Sequence, residues 1–191
     1  MKKFIYILLV AMLFVCAEKS TATEPYETMK VGLQFHRNVN QNRFHDYWHP
    51  PQGLGGFIEF PFYAGQIAAG IDVIPYHSKT QETTNVSTTL FYLSWGIDIA
   101  LLPKLSWYNG TSFGDNFMVF EDEIRDGFKY ESEIALMFTS KLEYRITKNA
   151  SVFITSRYFH LLTHHRIDLI YAGLGTSYSF STPQWIKEFL E

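Results

Sequence analysis

Histidine and carboxylate side chains are the groups in this sequence that could do metal or acid–base chemistry. The seven histidines are His36, His45, His49, His77, His160, His164 and His165. An acidic segment adds Asp115, Glu121, Asp122, Glu123 and Asp126. Imidazoles with carboxylates are ligands for Zn²⁺ and other transition metals. The candidate metal ligands are therefore His164 and His165, followed by His160 and His77, although their spacing matches no ligand motif and polar loops often carry histidine without a metal.

A second candidate chemistry uses His160 as a general base and Asp168 as the carboxylate that orients it. The residues between them read Leu161-Leu162-Thr163-His164-His165-Arg166-Ile167. A nucleophile must lie within hydrogen-bond reach of its base. Leu162 has no hydroxyl, and Thr163 would lie on the opposite face of a continuing strand. The sequence therefore assigns no catalytic residue and leaves His160 and Asp168 as candidates without a nucleophile.

Strands must position these residues, because apolar side chains recur at every second position along most of the chain. The clearest run alternates Phe91, Leu93, Trp95, Ile97, Ile99 and Leu101 with Tyr92, Ser94, Gly96, Asp98 and Ala100. Other runs cover residues 30–36, 57–62, 66–73, 105–120, 133–145, 152–159 and 166–180. This pattern predicts an all-β fold, an eight-stranded antiparallel up-and-down barrel that crosses a membrane.

The connections between the strands alternate in length. Short turns fall at residues 63–65, 102–104 and 147–149, whereas longer polar connections cover 38–53, 76–86, 114–130 and 160–165. This asymmetry is typical of periplasmic turns and extracellular loops, and it predicts that both termini of the chain lie in the periplasm. All the histidines then fall at or beyond the outer ends of strands.

The first residues predict export. Lys2 and Lys3 precede an apolar run over residues 4–15, and Ala17 offers a small residue for cleavage, so residues 1–17 read as a signal peptide. Cys16 would leave with it, because the bulky Val15 disfavours lipidation there, and the mature chain would then have no thiol for a disulfide or metal. Residues 18–28 become a periplasmic segment. The net charge of −3 gives no basic footprint for nucleic acid, and no cofactor is predicted.

A secreted lipocalin-like barrel that encloses a ligand would alternate in the same way, with its apolar face turned inward. Two features favour the membrane. The less apolar face is rich in small residues such as Gly70, Ser94 and Gly96, which suit a crowded lumen better than a solvated surface. Aromatic residues also gather towards strand ends, as interface girdles do: Phe60, Phe62, Tyr63, Trp107, Tyr144, Tyr178 and Phe180. The soluble barrel remains the alternative.

Charged residues also fall on the inward face of the predicted strands. They are Lys30, Glu59, Asp72, Asp98, Glu133, Lys141, Glu143, Arg145 and Arg157. A barrel of this strand number is just wide enough for side chains to fill. We therefore expect an ion network in a closed lumen, with an ion or proton path as the alternative.

The last residues predict a different element. Thr182 and Pro183 offer a cap and a first helical residue. Trp185, Ile186, Phe189 and Leu190 then form an apolar stripe, so residues 181–191 predict a short amphipathic helix that lies on the inner leaflet or under the barrel mouth.

Residues 29–180 resemble small eight-stranded bacterial outer-membrane proteins. Gly175, Tyr178 and Phe180 are similar to the terminal β-signal of such proteins, although Gly173 replaces a usual polar residue and the chain continues past Phe180. The resemblance implies the outer membrane of a Gram-negative cell, with lipid and lipopolysaccharide around the barrel. It also implies the barrel assembly machinery as a partner during biogenesis, and a structural or loop-mediated binding role.

Around His160 the chain also has a distant resemblance to lipid A deacylase barrels. That family uses a His-x-Ser pair late in the barrel with a following acid. His160 and Asp168 match the base and the acid, but Leu162 stands in place of the serine. The resemblance implies a shared scaffold, with a lipid A-modifying acyl hydrolase as the alternative function.

Overall fold

The computed structural model of the chain describes residues 25–49, 51–63, 65–81, 83–122, 129–163 and 167–190. These residues form eight strands, β1 (Thr28–Asn38), β2 (Gln52–Phe62), β3 (Gly65–Tyr76), β4 (Val86–Leu102), β5 (Leu105–Phe120), β6 (Tyr130–Arg145), β7 (Ala150–Leu161) and β8 (Ile167–Ser181). Two short helices are α1 (Phe44–Tyr47) and α2 (Gln184–Leu190). Each strand pairs antiparallel with the next, and β8 pairs with β1 to close the barrel. The predicted fold class is confirmed.

The alternation in the sequence matches the two faces of the barrel. On β4, Leu93 and Trp95 point outward and are 67% and 49% exposed, whereas the inward Leu90 and Tyr92 are 0% and 7% exposed. Successive side chains of a strand point to opposite faces, so every strand contributes to both surfaces. The apolar face is the outer one, which is the reverse of a lipocalin-like barrel.

Several strands are longer than the apolar alternation predicted. The first long connection was placed at residues 38–53 and strand 2 at 57–62, yet β2 already begins at Gln52. β5 ends at Phe120, as its apolar run predicted, so the third long connection begins after residue 120 and not at 114, and Asp115 lies on a strand. β7 continues to Leu161 and therefore includes His160. These boundaries were wrong because ladder hydrogen bonds continue beyond the apolar belt, where side chains no longer alternate in polarity.

Small inward residues leave room for inward aromatic rings. A Cβ atom added to Gly32 would lie 2.3 Å from the ring of Phe57 on the neighbouring strand. At Gly70 it would lie 2.3 Å from the ring of Tyr92. The glycines on this face therefore allow close approach of bulky side chains from the adjacent strand.

α2 follows the barrel as an exposed apolar helix. Trp185 and Phe189 are 70% and 84% exposed. The predicted cap is not formed by the Thr182 side chain, because Thr182 Oγ1 is buried without a hydrogen-bond partner in the described residues. The Pro183 carbonyl instead accepts hydrogen bonds from the N–H groups of Ile186 and Lys187. The predicted signal peptide lies outside the described residues.

No helix among the described residues is long and apolar enough to cross a membrane.

Candidate functional site

The half of the lumen nearer the short turns, which the sequence predicts to be periplasmic, holds a square of four charged side chains. Lys30 Nζ lies 2.9 Å from Glu59 Oε1 and 3.2 Å from Glu143 Oε2. Lys141 Nζ lies 2.8 Å from Glu59 Oε2 and 3.4 Å from Glu143 Oε2. Each cation thus contacts both carboxylates, and the net charge of the square is zero. Such mutual pairing offsets the cost of burying four charges.

A second ion pair lies further towards the outer side. Arg157 on β7 pairs with Asp72 Oδ2 on β3, and Gln34 Nε2 donates to Asp72 Oδ1 at 3.0 Å. The guanidinium carbon of Arg157 lies 5.0 Å from the centre of the Tyr92 ring, a cation–π distance. Asp72 is 0% exposed and Arg157 is 8% exposed, so both charges depend on these partners.

An apolar layer closes the lumen above this pair. It contains Ile74, Leu90, Met137, Phe159, Leu161, Leu169 and Tyr171. Between this layer and the charged square, the lumen retains a cavity of only about 40 Å³, lined by residues that include Glu59, Tyr92 and Arg157. A space of that size holds little more than a single water molecule. Side chains thus fill the lumen between the charged square and the apolar layer.

Three inward charges named from the sequence lie elsewhere. Asp98 accepts a hydrogen bond from Gln66 Nε2 at 3.1 Å near the short-turn end of the barrel, and its other oxygen has no partner among the described residues. Arg145 is exposed at the end of β6, and it forms no ion pair with any described residue. Glu133 lines a cavity at the outer end of the lumen. These side chains are therefore separate from the square.

His160 and Asp168 meet on the outer surface of the barrel. They face one another across β7 and β8, and His160 Nδ1 lies 2.6 Å from Asp168 Oδ1. The Tyr158 hydroxyl donates to the same oxygen at 2.6 Å, and its ring stacks on His160 with centroids 6.5 Å apart. This cluster points away from the lumen, in the strand positions that elsewhere carry apolar side chains.

A surface groove of about 580 Å³ runs beside this cluster. It is lined by His160, Tyr158 and Thr163 together with Leu136, Met137, Phe138, Leu161 and Leu162. The sequence argument placed Thr163 on the opposite strand face. Since β7 ends at Leu161, strand alternation does not reach Thr163, and the two residues share this groove. Leu162, at the position of the missing serine, contributes only an apolar surface.

The candidate metal ligands do not form a described cluster. His164 and His165 lie outside the described residues, as do Glu123 and Asp126. His77 follows β3 and His160 is the next-to-last residue of β7, and these strands lie on opposite sides of the closed ring. Within the described part of the chain, no group of three or more His, Cys, Asp or Glu side chains could hold a metal ion.

The sequence analysis missed a cavity of about 320 Å³ at the outer end of the lumen. Phe44 and Trp48 cover one side and stack with ring centroids 4.8 Å apart. Asn116 lines the cavity from β5 and is 0% exposed. Asn116 lies on the inward, less apolar face of β5, where a polar residue does not stand out, and nothing in the alternation indicated that α1 would fold over the barrel mouth.

Hydrogen bonds to the second outer loop fix α1 over this cavity. Trp48 forms an antiparallel bridge with Ser78, and its indole N–H donates to Thr84 O at 3.1 Å. Lys79 Nζ donates to His45 O at 2.7 Å. His45 itself is 7% exposed, and burial is the main cause that lowers its pKa below the ordinary value of 6.5. The rim is thus an ordered structure built from two connections.

The residues of the predicted assembly signal lie in the C-terminal half of β8, towards the short turns. Tyr178 is 51% exposed and points outward, and its ring centroid lies 6.3 Å from that of Phe180. Phe180 pairs with Met29 at the start of β1. Gly175 points inward, and a Cβ atom there would lie 2.4 Å from the ring of Phe153.

The architecture defines the class: a small closed antiparallel barrel with an apolar exterior and a filled lumen, the fold of small outer-membrane β-barrels. Solved structures with this fold include Neisserial surface protein A, with a TM-score of 0.59 and 12% identity, over 83% of this chain and 99% of that one. The attachment invasion locus protein Ail of Yersinia pestis has a TM-score of 0.54 and 10% identity, over 81% and 99%.

A third similar structure is the N-terminal β-barrel domain of Pseudomonas aeruginosa OprF. It has a TM-score of 0.52 and 14% identity, over 82% of this chain and 100% of that one. No protein-family model matches the sequence, and no curated protein matches it at a significant level. At such identities the likeness extends to the fold alone.

Proposed function

We propose that this protein is a bacterial outer-membrane barrel, exported by a signal peptide cleaved after Ala17, with a sealed lumen and a binding role at its outer rim. The observation that carries the proposal is the apolar belt around the whole barrel. Every strand contributes exposed apolar side chains to it, including Leu33, Leu54, Ile71, Leu93, Phe113, Phe138, Ile154 and Leu174.

The apolar belt favours a membrane over water as the surroundings of the barrel. Apolar surface left in water costs about 25 cal/mol per Å², so a continuous ring of large side chains would drive aggregation of a soluble monomer. Hydrocarbon removes this cost, and a closed barrel leaves no unpaired strand edge in the lipid. Lipid and lipopolysaccharide are therefore the surroundings that this surface fits, and the β-signal residues on β8 fit delivery by the barrel assembly machinery.

The filled lumen favours a role at the rim over transport. Four ion pairs bridge the charged square, the Arg157–Asp72 pair lies above it, and an apolar layer lies above that. The small cavity between the square and the Arg157–Asp72 pair shares no lining residue among those described with the cavity at the outer end of the lumen. Chemistry accessible from outside is left to the outer loops and to the outward surface.

Cell fractionation combined with gel migration tests this proposal. We expect the protein in the outer-membrane fraction, with a mass that lacks residues 1–17, and an unheated band that migrates differently from the boiled one. In planar bilayers the refolded protein should give no steady channel conductance. Recovery from the soluble periplasm would overturn the membrane assignment, and steady conductance would overturn the sealed lumen.

A second candidate function is hydrolysis of a lipid acyl chain at the outward cluster. The observation that favours it is the 2.6 Å contact between His160 Nδ1 and Asp168 Oδ1, beside a groove lined by leucine and phenylalanine. A carboxylate on one imidazole nitrogen is the arrangement that orients a general base. Thr163 provides a hydroxyl in the same groove.

Mass spectrometry of lipid A separates this candidate from the first. An acyl hydrolase would remove an acyl chain from lipid A and so lower its mass in cells that express the protein. His160→Ala and Thr163→Ala would each abolish this change in mass. Ser156→Ala is the matched control. Ser156 lies on the same outward face of β7 as His160, four residues away, and it does not line the groove. Identical lipid A with and without the protein would exclude hydrolysis.

A further inference from the structure

The cavity at the outer end of the lumen contains an unsatisfied polar side chain. Asn116 is 0% exposed, and neither its Oδ1 nor its Nδ2 atom has a hydrogen-bond partner among the described residues. The neighbouring buried polar group is satisfied, since Thr88 Oγ1 donates to Ile74 O at 3.0 Å. Buried amide groups are nearly always hydrogen-bonded, so Asn116 calls for a partner inside the cavity.

The cavity also has an acidic side. Glu133 lies directly opposite Asn116 in the β5–β6 register, and Glu131 lies opposite Met118 one inward position further out. Both glutamates line the cavity. Neither forms a salt bridge with a lysine or arginine in the ranges that the structure describes. The charge that complements this side is a cation.

Aromatic rings form the opposite side. Phe44 stacks on Trp48 at an interplanar angle of 21°, and it meets Tyr76 edge to face with centroids 5.3 Å apart. Leu161, Ile167 and Leu169 add apolar surface. Such a wall holds a ring by stacking and attracts a cation through the ring faces. A volume of about 320 Å³ lies in the range of small-molecule pockets.

We propose that this cavity binds a small aromatic ammonium compound with a carbonyl or hydroxyl oxygen beside its amine. The ring packs against Phe44 and Trp48, and the ammonium donates to the Glu133 carboxylate and Asn116 Oδ1. Asn116 Nδ2 donates to the ligand oxygen. The inference rests on the proposed rim binding role, because it places the binding site under α1 and gives its ligand class.

Calorimetric titration of the refolded protein with three matched probes tests the inference. The probes are phenylalaninamide, its uncharged N-acetyl derivative and phenylalanine. In phenylalanine a carboxylate replaces the amide, and the glutamates would repel it. We expect saturable binding of phenylalaninamide, weaker by about tenfold or more for each of the other two. Trp48 fluorescence should change with the same midpoint as the heat.

Matched variants assign the binding to this cavity. Asn116→Leu and Glu133→Gln should each weaken phenylalaninamide binding by about tenfold or more. Asn109→Leu, on the outward face of the same strand, and Glu188→Gln, in α2 at the other end of the barrel, should leave it unchanged. Asn116→Ser, with a smaller polar group, serves if the leucine variant does not fold.

The outcomes separate this inference from the function it rests on. Absence of saturable binding to a heat-modifiable, membrane-inserted protein overturns the ligand class and leaves the outer-membrane barrel standing. Equal binding by Asn116→Leu and the wild type overturns the site. Preference for the N-acetyl probe overturns the role of the glutamates, whereas a protein that never inserts into membranes overturns the proposed function itself.

Discussion

Arg157 on β7 and Asp72 on β3 form an ion pair across the lumen, joining strands on opposite sides of the barrel. The two residues are 85 positions apart in sequence. Backbone ladders link each strand only to its immediate neighbours, so a contact of this kind ties the ring across its diameter. The pair also lies between the charged square and the apolar layer, where it has no access to bulk water.

Removing one partner of this pair should destabilise the barrel strongly. Asp72→Asn leaves the Arg157 guanidinium buried without a carboxylate, and we expect a loss of about 3–5 kcal/mol in the free energy of unfolding. Urea unfolding in lipid vesicles, followed by tryptophan fluorescence, measures it. The double variant Asp72→Leu with Arg157→Met should recover most of the loss, because neither position then buries an unpaired charge. A double variant as unstable as Asp72→Asn would contradict this account.

Alanine substitutions at two glycines should distinguish the effect of close packing on stability from the effect of backbone flexibility. Gly32→Ala puts a methyl group 2.3 Å from the Phe57 ring, so we expect overpacking to cost about 1–3 kcal/mol. Gly56→Ala on the outward face of β2 meets its nearest atom at an ordinary 3.5 Å and should be neutral or slightly stabilising. The same unfolding assay compares them. Phe57→Leu in the Gly32→Ala background should restore stability, and equal effects at the two glycines would argue against the packing explanation.

The apolar belt should show the depth dependence of a bilayer. Leu93 lies near the middle of β4 and is 67% exposed, so Leu93→Arg should cost about 2–4 kcal/mol in lipid vesicles. Val119 lies near the outer end of β5, and Val119→Arg should cost about 0–1 kcal/mol because the guanidinium reaches the interface. A similar cost at both positions would mean that the belt does not follow the membrane depth.

The number of strands and the two faces of the barrel could be predicted from the sequence because side-chain polarity alternates within the apolar belt. The alternation shows that Asp72 and Arg157 point inward. It cannot show that the two side chains contact each other, because that contact depends on closure of the whole barrel. The cavity below α1 could not be predicted from the sequence for a related reason. Phe44 and Trp48 are fixed by long-range bonds such as the bridge to Ser78, and a local pattern contains no trace of these.

His45 should make the rim sensitive to acid. In the neutral ring Nδ1 accepts from Asn42 N–H at 3.2 Å and Nε2 donates to Asn38 Oδ1 at 2.7 Å, while Asn42 Oδ1 lies 3.1 Å from Nδ1. Burial chiefly, with the ammonium of Lys79 in the same direction, lowers the pKa of His45 below 6.5, and the hydrogen bond with the Asn42 backbone and the carboxylate of Asp46 oppose them. The folded rim therefore holds the neutral ring.

As the pH falls through 6.5, an opened rim binds a proton that the closed rim rejects, so the closed form loses stability. Above that pH both forms are neutral at His45 and stability is constant. Hydrogen exchange of residues 42–49, corrected for intrinsic rates, should show opening increase between pH 7.5 and pH 5. His45→Gln keeps an amide that can donate to Asn38 and removes the titration, so its exchange should stay flat. A wild-type profile as flat as that of His45→Gln would exclude His45 as the origin.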